Sequence, residues 1–427
     1  MLRRVVVDAL CGPSAWRGQV VDTALLSSRR FNANLPRTKI LNNQAMEAFT
    51  SQNYAVAVQR WTEMLQEIER TAPPGSVATA GPLNNLACVY GEVGDYYQQQ
   101  ALLKRILDLT QKNYGEDHVQ YAITLYNLAS SCAGLGQFKA MEEYCAQSKE
   151  INAKRFGERH AKVARVMILE AEAKEGLGKF DEQVALLEDA LQIVRKHCGA
   201  KHNQVSITIG LLSGAYINLK DPFKAVEVAE EAIRIDENLY GVRHPQYALS
   251  QRSLARAMDA AGKHQEAKEL FLAALMLQKG AVGADDKEQI KTHWGIIDCC
   301  VALKELAEAQ STAQRALMLC HGQYSSVHAT VGRAELKSAE VCRLLNDYRH
   351  WVQHAKPAHD ILSKFYEKAD TPIPDVAKAK ESMDAAIAAC KAQGLDFLVD
   401  PPPEAGEEEE EPNADGKSDE EDWTKQK

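Results

Sequence analysis

The stretch LYNLASSCAGLGQF, residues 125–138, decides the fold because the chain repeats its pattern at a fixed interval. Forty-two residues upstream, residues 83–96 read LNNLACVYGEVGDY, with Leu, Ala and Gly in the same order. Within residues 119–138 apolar residues recur at intervals of three and four, which is typical of one face of an α-helix. A Gly interrupts this helix, and a second helical pattern follows. Each unit therefore predicts two helices joined by a short turn.

The junctions between units follow the same period. The sequence YGEDH at residues 114–118 recurs at intervals of 42 as FGERH, CGAKH and YGVRH. A period of 20–50 residues indicates a solenoid, in which neighbouring units bury faces that one unit cannot bury alone. We interpret the Gly as the end of one helix and the His as a packing or hydrogen-bonding residue at the start of the next. Equivalent histidines in successive units lie at least one helix layer of ~8–10 Å apart, too far to share a metal ion.

These units resemble tetratricopeptide repeats, in the 42-residue form found in kinesin light chains. The resemblance rests on residues 83–96, on residues 125–138 and on YGVRHPQYALSQRSLARAM at residues 240–258, and it covers residues 40–365. It implies a superhelical scaffold that serves many unrelated functions. Unlike kinesin light chains, the sequence shows no long heptad region ahead of the repeats.

The sequence therefore predicts an all-α fold, a right-handed superhelical α-solenoid of about seven helix pairs with a C-terminal capping helix. We place the solenoid at residues 39–368 and the capping helix at residues 369–395, with Asp375 as the N-cap residue of that helix. Residues 1–38 and residues 396–427 flank the helical part.

The candidate binding surface is the inner wall, which the first helix of each pair lines in such a solenoid. Asn85 and Asn127 match the Asn of the family's NLA motif, and the resemblance implies that such amides grip an extended peptide backbone. Neighbouring columns predict a mixed basic and aromatic wall in the later units, formed by Arg165, Arg252, Arg256, Lys291 and Trp294. The alternative for these residues is a solvated polar face.

The first residues indicate a targeting segment. Residues 1–40 contain six Arg and one Lys but only two acidic residues, and their apolar stretches are short. This composition is typical of a mitochondrial transit peptide, which a matrix-negative potential attracts. We expect a mitochondrial matrix location, with a disordered basic arm and a cytoplasmic location as the alternatives.

The last residues predict a disordered acidic tail. Residues 400–427 contain 12 acidic and 3 basic residues. Trp423 ends the stretch DEEDW, which resembles the tryptophan-acidic peptides that kinesin light chain repeats bind. One hypothesis is that the tail docks into the groove of this chain or of a second copy, with Trp423 as the anchor. The alternative is a tail that only improves solubility.

Several functional classes find no support in the sequence. It contains no GxxxxGK[ST], GxSxG or HExxH motif, and its ten cysteines form no CxxC pair. We therefore expect no enzymatic activity, no catalytic residues, no cofactor and no metal site. No apolar run reaches the ~18 residues that span a bilayer. The net charge of −9 argues against direct nucleic acid binding.

These observations predict a non-enzymatic protein–protein interaction scaffold in a mitochondrial multiprotein assembly. Respiratory-complex assembly, the mitochondrial ribosome and an RNA-processing complex all fit. Partner proteins would bind in the concave groove through extended peptides or helices. The alternatives are a cytosolic cargo adaptor like a kinesin light chain and an RNA-binding helical-repeat protein.

Overall fold

The helices of this chain form one continuous stack. The computed structural model describes residues 35–282 and 287–395. The α-helices in these ranges are α1 (Leu35–Thr50), α2 (Tyr54–Thr71), α3 (Ala80–Val93), α4 (Tyr96–Tyr114), α5 (Val119–Gly134), α6 (Phe138–Phe156), α7 (Ala161–Gly176), α8 (Phe180–Cys198), α9 (Asn203–Asn218), α10 (Pro222–Tyr240), α11 (Pro245–Ala260), α12 (His264–Val282), α13 (Gln289–Ala302), α14 (Leu306–Gln323), α15 (Ala329–Leu344), α16 (Tyr348–Phe365) and α17 (Pro374–Ala392). A short 3₁₀ turn precedes α3.

Helices that are consecutive in sequence pack against one another. In the described ranges they form eight pairs, from α1 with α2 to α15 with α16, and α17 packs on the last pair. This arrangement confirms the predicted all-α solenoid with its capping helix, and the pair count is close to the predicted seven. No helix in these ranges is long and apolar enough to cross a membrane. The predicted transit peptide falls almost entirely outside the described residues, as do the acidic tail and Trp423.

One predicted helix cap is wrong. The capping helix α17 begins at Pro374, with Ile373 rather than Asp375 as its N-cap residue. Proline suits the first helical position because its missing N–H needs no partner there. Asp375 instead accepts a hydrogen bond from Arg333 Nε at 2.6 Å, so it joins α17 to α15.

Large and small residues have different roles in the packing. Leu125 and Leu128 are fully buried and fill the space between helix pairs. Ala122, Ala129 and Ala164 are also fully buried, and their small side chains allow neighbouring helices to approach closely. Burying one Leu side chain contributes roughly 1.5–3 kcal/mol. No pair could bury this surface alone, so the pairs stabilise one another.

The junction histidines are N-cap residues. Nδ1 of His118 accepts a hydrogen bond from the backbone N–H of Gln120 at 3.2 Å. The same bond recurs at His160, His202, His244 and His328. Gly115 precedes this cap with φ +83° and ψ 167°, a region that essentially only glycine adopts. The structure therefore gives the repeated Gly and His a structural role.

The C-terminal end of the solenoid meets its second and third helix pairs. Residues 366–373 link α16 to α17 and lie against the turn between α5 and α6, where Gln137 Nε2 donates a hydrogen bond to the carbonyl of Lys368 at 3.1 Å. The rings of Tyr96 and Phe365 meet edge to face, with centroids 6.4 Å apart. The repeat pattern did not predict this closure.

Candidate functional site

A cavity of about 580 Å³ lies along the inner wall. First helices of the third to eighth pairs line it, from Tyr126 on α5 to Lys337 on α15. Most of its lining residues fall in three columns with 42-residue spacing. The columns are Tyr126, Ile168, Gly210, Arg252 and Trp294; then Ser130, Glu172, Gly214, Arg256 and Asp298; then Leu169, Leu211, Ser253, Gly295 and Lys337.

One part of the wall is basic. Arg252 is only 6% exposed, and its Nη1 donates to the backbone carbonyl of Glu288 at 3.2 Å and lies 3.6 Å from Oε2 of the same residue. Lys291 is half-buried, and burial together with the nearby charge of Arg252 lowers its pKa to about 8. Across the described ranges, the side chains of Lys291 and Arg256 make no ion pair within 4.0 Å and no hydrogen bond.

The carboxylates that line the cavity either already have a cationic partner or lie away from the basic residues. Asp298 pairs with Lys337, and the Asp259 carboxylate lies 2.7 Å from Nδ1 of His264. On the opposite side, α7 contributes Glu172 and Glu175 to the lining. Since the nearest carboxylates on α11 and α13 already have partners, the unpaired cations leave a local excess of positive charge at these two helices.

The structure separates the predicted site residues into two groups. Arg252, Arg256, Lys291 and Trp294 line the cavity. The other predicted residues, Asn85, Asn127 and Arg165, are not part of its lining.

Each of the residues outside the lining has its own surroundings. Asn85 is 3% exposed and donates to Asn42 Oδ1 at 3.5 Å, while Asn127 is half-buried. The Arg165 guanidinium lies over the Tyr126 ring, 4.2 Å from its centroid, and so contacts a residue that does line the cavity. Their predicted role in peptide binding stays a prediction.

Sequence reasoning missed several lining residues that the period could have identified. Lys337 lies in the same column as Asn85 and Asn127, six units after Asn85 and five after Asn127. Glu172 lies in the column of Arg256, and Tyr126 lies in the column of Arg252. Extending each predicted column through all units would have included these positions.

One cluster of a cysteine and two glutamates has the residue types of a metal site, but a lysine ammonium lies among them. Cys300, Glu305 and Glu308 come within reach of a common point. The ammonium of Lys268 lies there, 2.5 Å from Glu305 Oε2 and 2.7 Å from Glu308 Oε2. Burial raises the pKa of the Cys300 thiol to about 11, so the sulfur is held as a thiol rather than a metal-binding thiolate. The cluster is an ion-pair network.

The comparisons with known proteins agree with this architecture. A family model for the tetratricopeptide repeat matches residues 78–140, 122–196 and 204–279. The chain carries tetratricopeptide repeats. Tetratricopeptide repeats support a role of this solenoid as a protein–protein interaction scaffold. None of the curated proteins matches the sequence.

Several solved structures align with this chain. A Rap protein complexed with Competence and Sporulation Factor aligns with a TM-score of 0.57 at 14% identity, over 86% of this chain and 97% of that chain. This likeness shows the fold alone. The nearly identical TPR-like repeats of a putative kinesin light chain from Podosopora anserina are 27% identical, with a TM-score of 0.42, over 46% of this chain and 94% of that chain. BtubC from P. vanneervenii is 21% identical, with a TM-score of 0.44, over 56% of this chain and 91% of that chain.

Proposed function

We propose that this chain is a non-enzymatic scaffold that binds an acidic, extended segment of a partner protein in its inner cavity. The observation that carries this proposal is the pair of cations, Arg256 and Lys291, that face the cavity without an ion partner in the described chain. Burial disfavours the charged form of a lysine, and a nearby anion favours it. A carboxylate from a ligand would therefore be stabilised here more than at an ordinary solvated surface.

The remaining lining favours a particular arrangement of charges along the ligand. Glu172 and Glu175 lie on α7, at a distance of two helix pairs from the basic residues of α11. A segment with acidic residues near α11 and α13 would place its following residues beside α7, where basic or neutral side chains fit. Trp294 and Phe271 also line the cavity and add aromatic residues to its lining.

We place this scaffold in a mitochondrial matrix assembly. The Arg-rich composition of residues 1–38 supports that location, and the acidic net charge favours protein partners over RNA. A fluorescent reporter fused to residues 1–40 should accumulate in mitochondria. A cytosolic reporter would favour the cargo-adaptor alternative.

The binding proposal can be tested with simple peptides. Fluorescein-labelled hexaglutamate should bind the full-length protein in a fluorescence anisotropy titration, and hexalysine with the same label should bind far more weakly. Affinity that falls as salt rises would indicate an ionic contact. Absence of hexaglutamate binding at low salt, or equal binding of both peptides, would contradict the proposal.

The acidic tail can be examined in the same assay. If residues 400–427 occupy the cavity as a competing acidic segment, deleting them should raise the affinity for hexaglutamate. Unchanged affinity would contradict tail docking while leaving the cavity proposal intact. Affinity purification of the wild-type protein and of Lys291→Glu from isolated mitochondria would then identify partners that depend on the cavity.

A further inference from the structure

The turn between the two helices of each pair has the same backbone feature along the whole solenoid. The turn inside every pair contains a residue with positive φ, at Gln52, Gly94, Gly136, Gly178, Lys220, Gly262, Lys304 and Asn346. Lys220 and Lys304 adopt φ +63° and φ +64° with full side chains. The backbone of this turn therefore tolerates a side chain, although glycine adopts it with less strain.

Two of the glycines have a second reason to lack a side chain. A Cβ atom on Gly94 would overlap the imidazole ring of His328. A Cβ atom on Gly136 would lie 2.7 Å from Ile373 Cδ1 and 3.2 Å from Ala369 Cβ. Gly178 and Gly262 have the same kind of φ, +71° and +81°, but nothing within 4 Å of such an atom. Gly94 and Gly136 are thus the places where the C-terminal part of the chain closes on the N-terminal part.

The same closure supplies a helix cap from a distant part of the chain. Gln137 is the N-cap residue of α6, but its side chain makes no capping hydrogen bond. The backbone N–H of Ala140 donates instead to Asp370 Oδ2 at 3.0 Å, across 230 residues of sequence. In the equivalent helices α4 and α10, the local residues Asp95 and Asp221 provide this cap themselves. The capping bond of Ala140 therefore exists only while the solenoid is closed.

We propose that residues 365–373 form a releasable clasp that holds the solenoid closed and controls entry into the inner cavity. The contacts of the clasp are hydrogen bonds and ring contacts of short chain segments. The extensive helix-to-helix packing in the described ranges is instead between helices close in sequence. Such an interface can separate without exposing the core of any pair, as in other hinge-type closures.

The cavity depends on this closure because its walls come from the third and the eighth helix pairs, which lie on the two sides of the contact. Tyr126 on α5 and Lys337 on α15 line the same space. Separation of the clasp from the turn at Gly136 would move α5 away from α15 and widen the entrance. This proposal rests on the proposed function in one respect, which is that the cavity is the ligand-binding site.

Matched glycine substitutions test the clasp directly. The full-length double variant Gly94→Asn with Gly136→Asn should open the solenoid, since asparagine tolerates positive φ. The side chain at position 136 would collide with the clasp, and the one at position 94 would collide with His328 on the same C-terminal side of the contact. The control Gly178→Asn with Gly262→Asn makes the same chemical change at turns with free space. Small-angle X-ray scattering should show a larger radius of gyration for the first variant only. Wild-type scattering from the clasp variant would overturn the proposal, and so would equal expansion of both variants.

A milder variant covers the case in which the double substitution prevents folding. Asp370→Ala removes only the carboxylate that caps α6. Hydrogen exchange of the full-length protein should then show faster exchange at Ala140, while the equivalent amide at Gln98, capped by Asp95, keeps its rate. Unchanged exchange at Ala140 would contradict a clasp at this position.

The rate of ligand association tests the clasp proposal separately from the ligand-binding proposal. Labelled hexaglutamate should associate severalfold faster with the Asp370→Ala protein than with the wild type if the clasp limits entry. Equal association rates would overturn control of entry by the clasp. Absence of binding to wild type and variant alike would overturn the ligand proposal, while scattering and hydrogen exchange would still decide whether the solenoid opens at residues 365–373.

Discussion

The inner wall of the early helix pairs differs from that of the later pairs, although both use the same repeat. In α3, Asn85 is 3% exposed and bonds to Asn42 of the preceding pair. In α11 and α13, Arg252 and Lys291 lie beside an open cavity. Lys337 on α15, at the repeat position of Asn85, also lines this cavity, so one repeat position takes its role from what lies opposite it. Where the neighbouring pair fills the space, a polar residue becomes an internal hydrogen-bonding group.

Charge reversal in the later wall should give the largest effect. Lys291→Glu places an anion where a cation faces the cavity, and we expect hexaglutamate affinity to fall about 100-fold, equivalent to ~2.7 kcal/mol. Asn127→Ala, in the earlier wall, should change that affinity less than about twofold, a difference worth roughly 0.4 kcal/mol. Anisotropy titrations of both variants at one salt concentration measure this. Comparable losses in the two variants would remove the distinction between the walls.

The pH dependence of binding should be the next largest effect. Because the pKa of Lys291 is lowered to about 8 and a bound carboxylate favours the protonated form, affinity should be nearly constant between about pH 6 and 7, where hexaglutamate is ionised and Lys291 is protonated. Above pH 8 it should fall by up to roughly tenfold per pH unit, as the free protein loses the proton that the complex retains.

The variant Lys291→Arg serves as the control for this dependence. Its guanidinium stays charged throughout the range, so affinity should become independent of pH between 8 and 10. A decline in Lys291→Arg that matches the wild type would assign the titration to another group.

Substitution of Asn85, in the inner wall of the early pairs, should give the smallest effect. It should change the stability of the protein but not its affinity for hexaglutamate. Asn85→Ala removes one buried hydrogen bond, which costs about 1 kcal/mol of unfolding free energy. Asn42 keeps a partner, because Trp61 Nε1 donates to its Oδ1 at 3.0 Å. Thermal unfolding should therefore show a modest decrease in Tm, with hexaglutamate affinity unchanged. A loss of affinity in Asn85→Ala would restore Asn85 as a ligand-binding residue.

Much of the fold could be predicted from the sequence because its signals are local. The apolar spacing around Leu125 predicts a helix, and Gly136 marks its end in the sequence. The junction at His118 depends on residues within a few positions of it. The first residue of α17 was placed wrongly because a competing contact with Arg333 determines where the Asp375 side chain lies.

The candidate site was only partly predictable. Arg252 and Lys291 could be identified because equivalent positions of each unit face the same side of the solenoid. The placement of Asn85 could not be decided in this way. The column that contains Asn85 reaches the cavity at Leu169 and Lys337, yet Asn85 itself is covered by Asn42. Repeat register identifies equivalent positions, but it does not say which of them face open space.

The sequence by itself determined the helix pairs, their turns and the junctions at the repeated Gly and His, because these depend on residues within one 42-residue unit and its neighbour. Only the tertiary structure decided that the solenoid closes, that Asp370 caps α6 and that the later columns surround a cavity. The physical reason is that curvature accumulates over eight helix pairs, so small rotations between neighbours determine which distant residues meet.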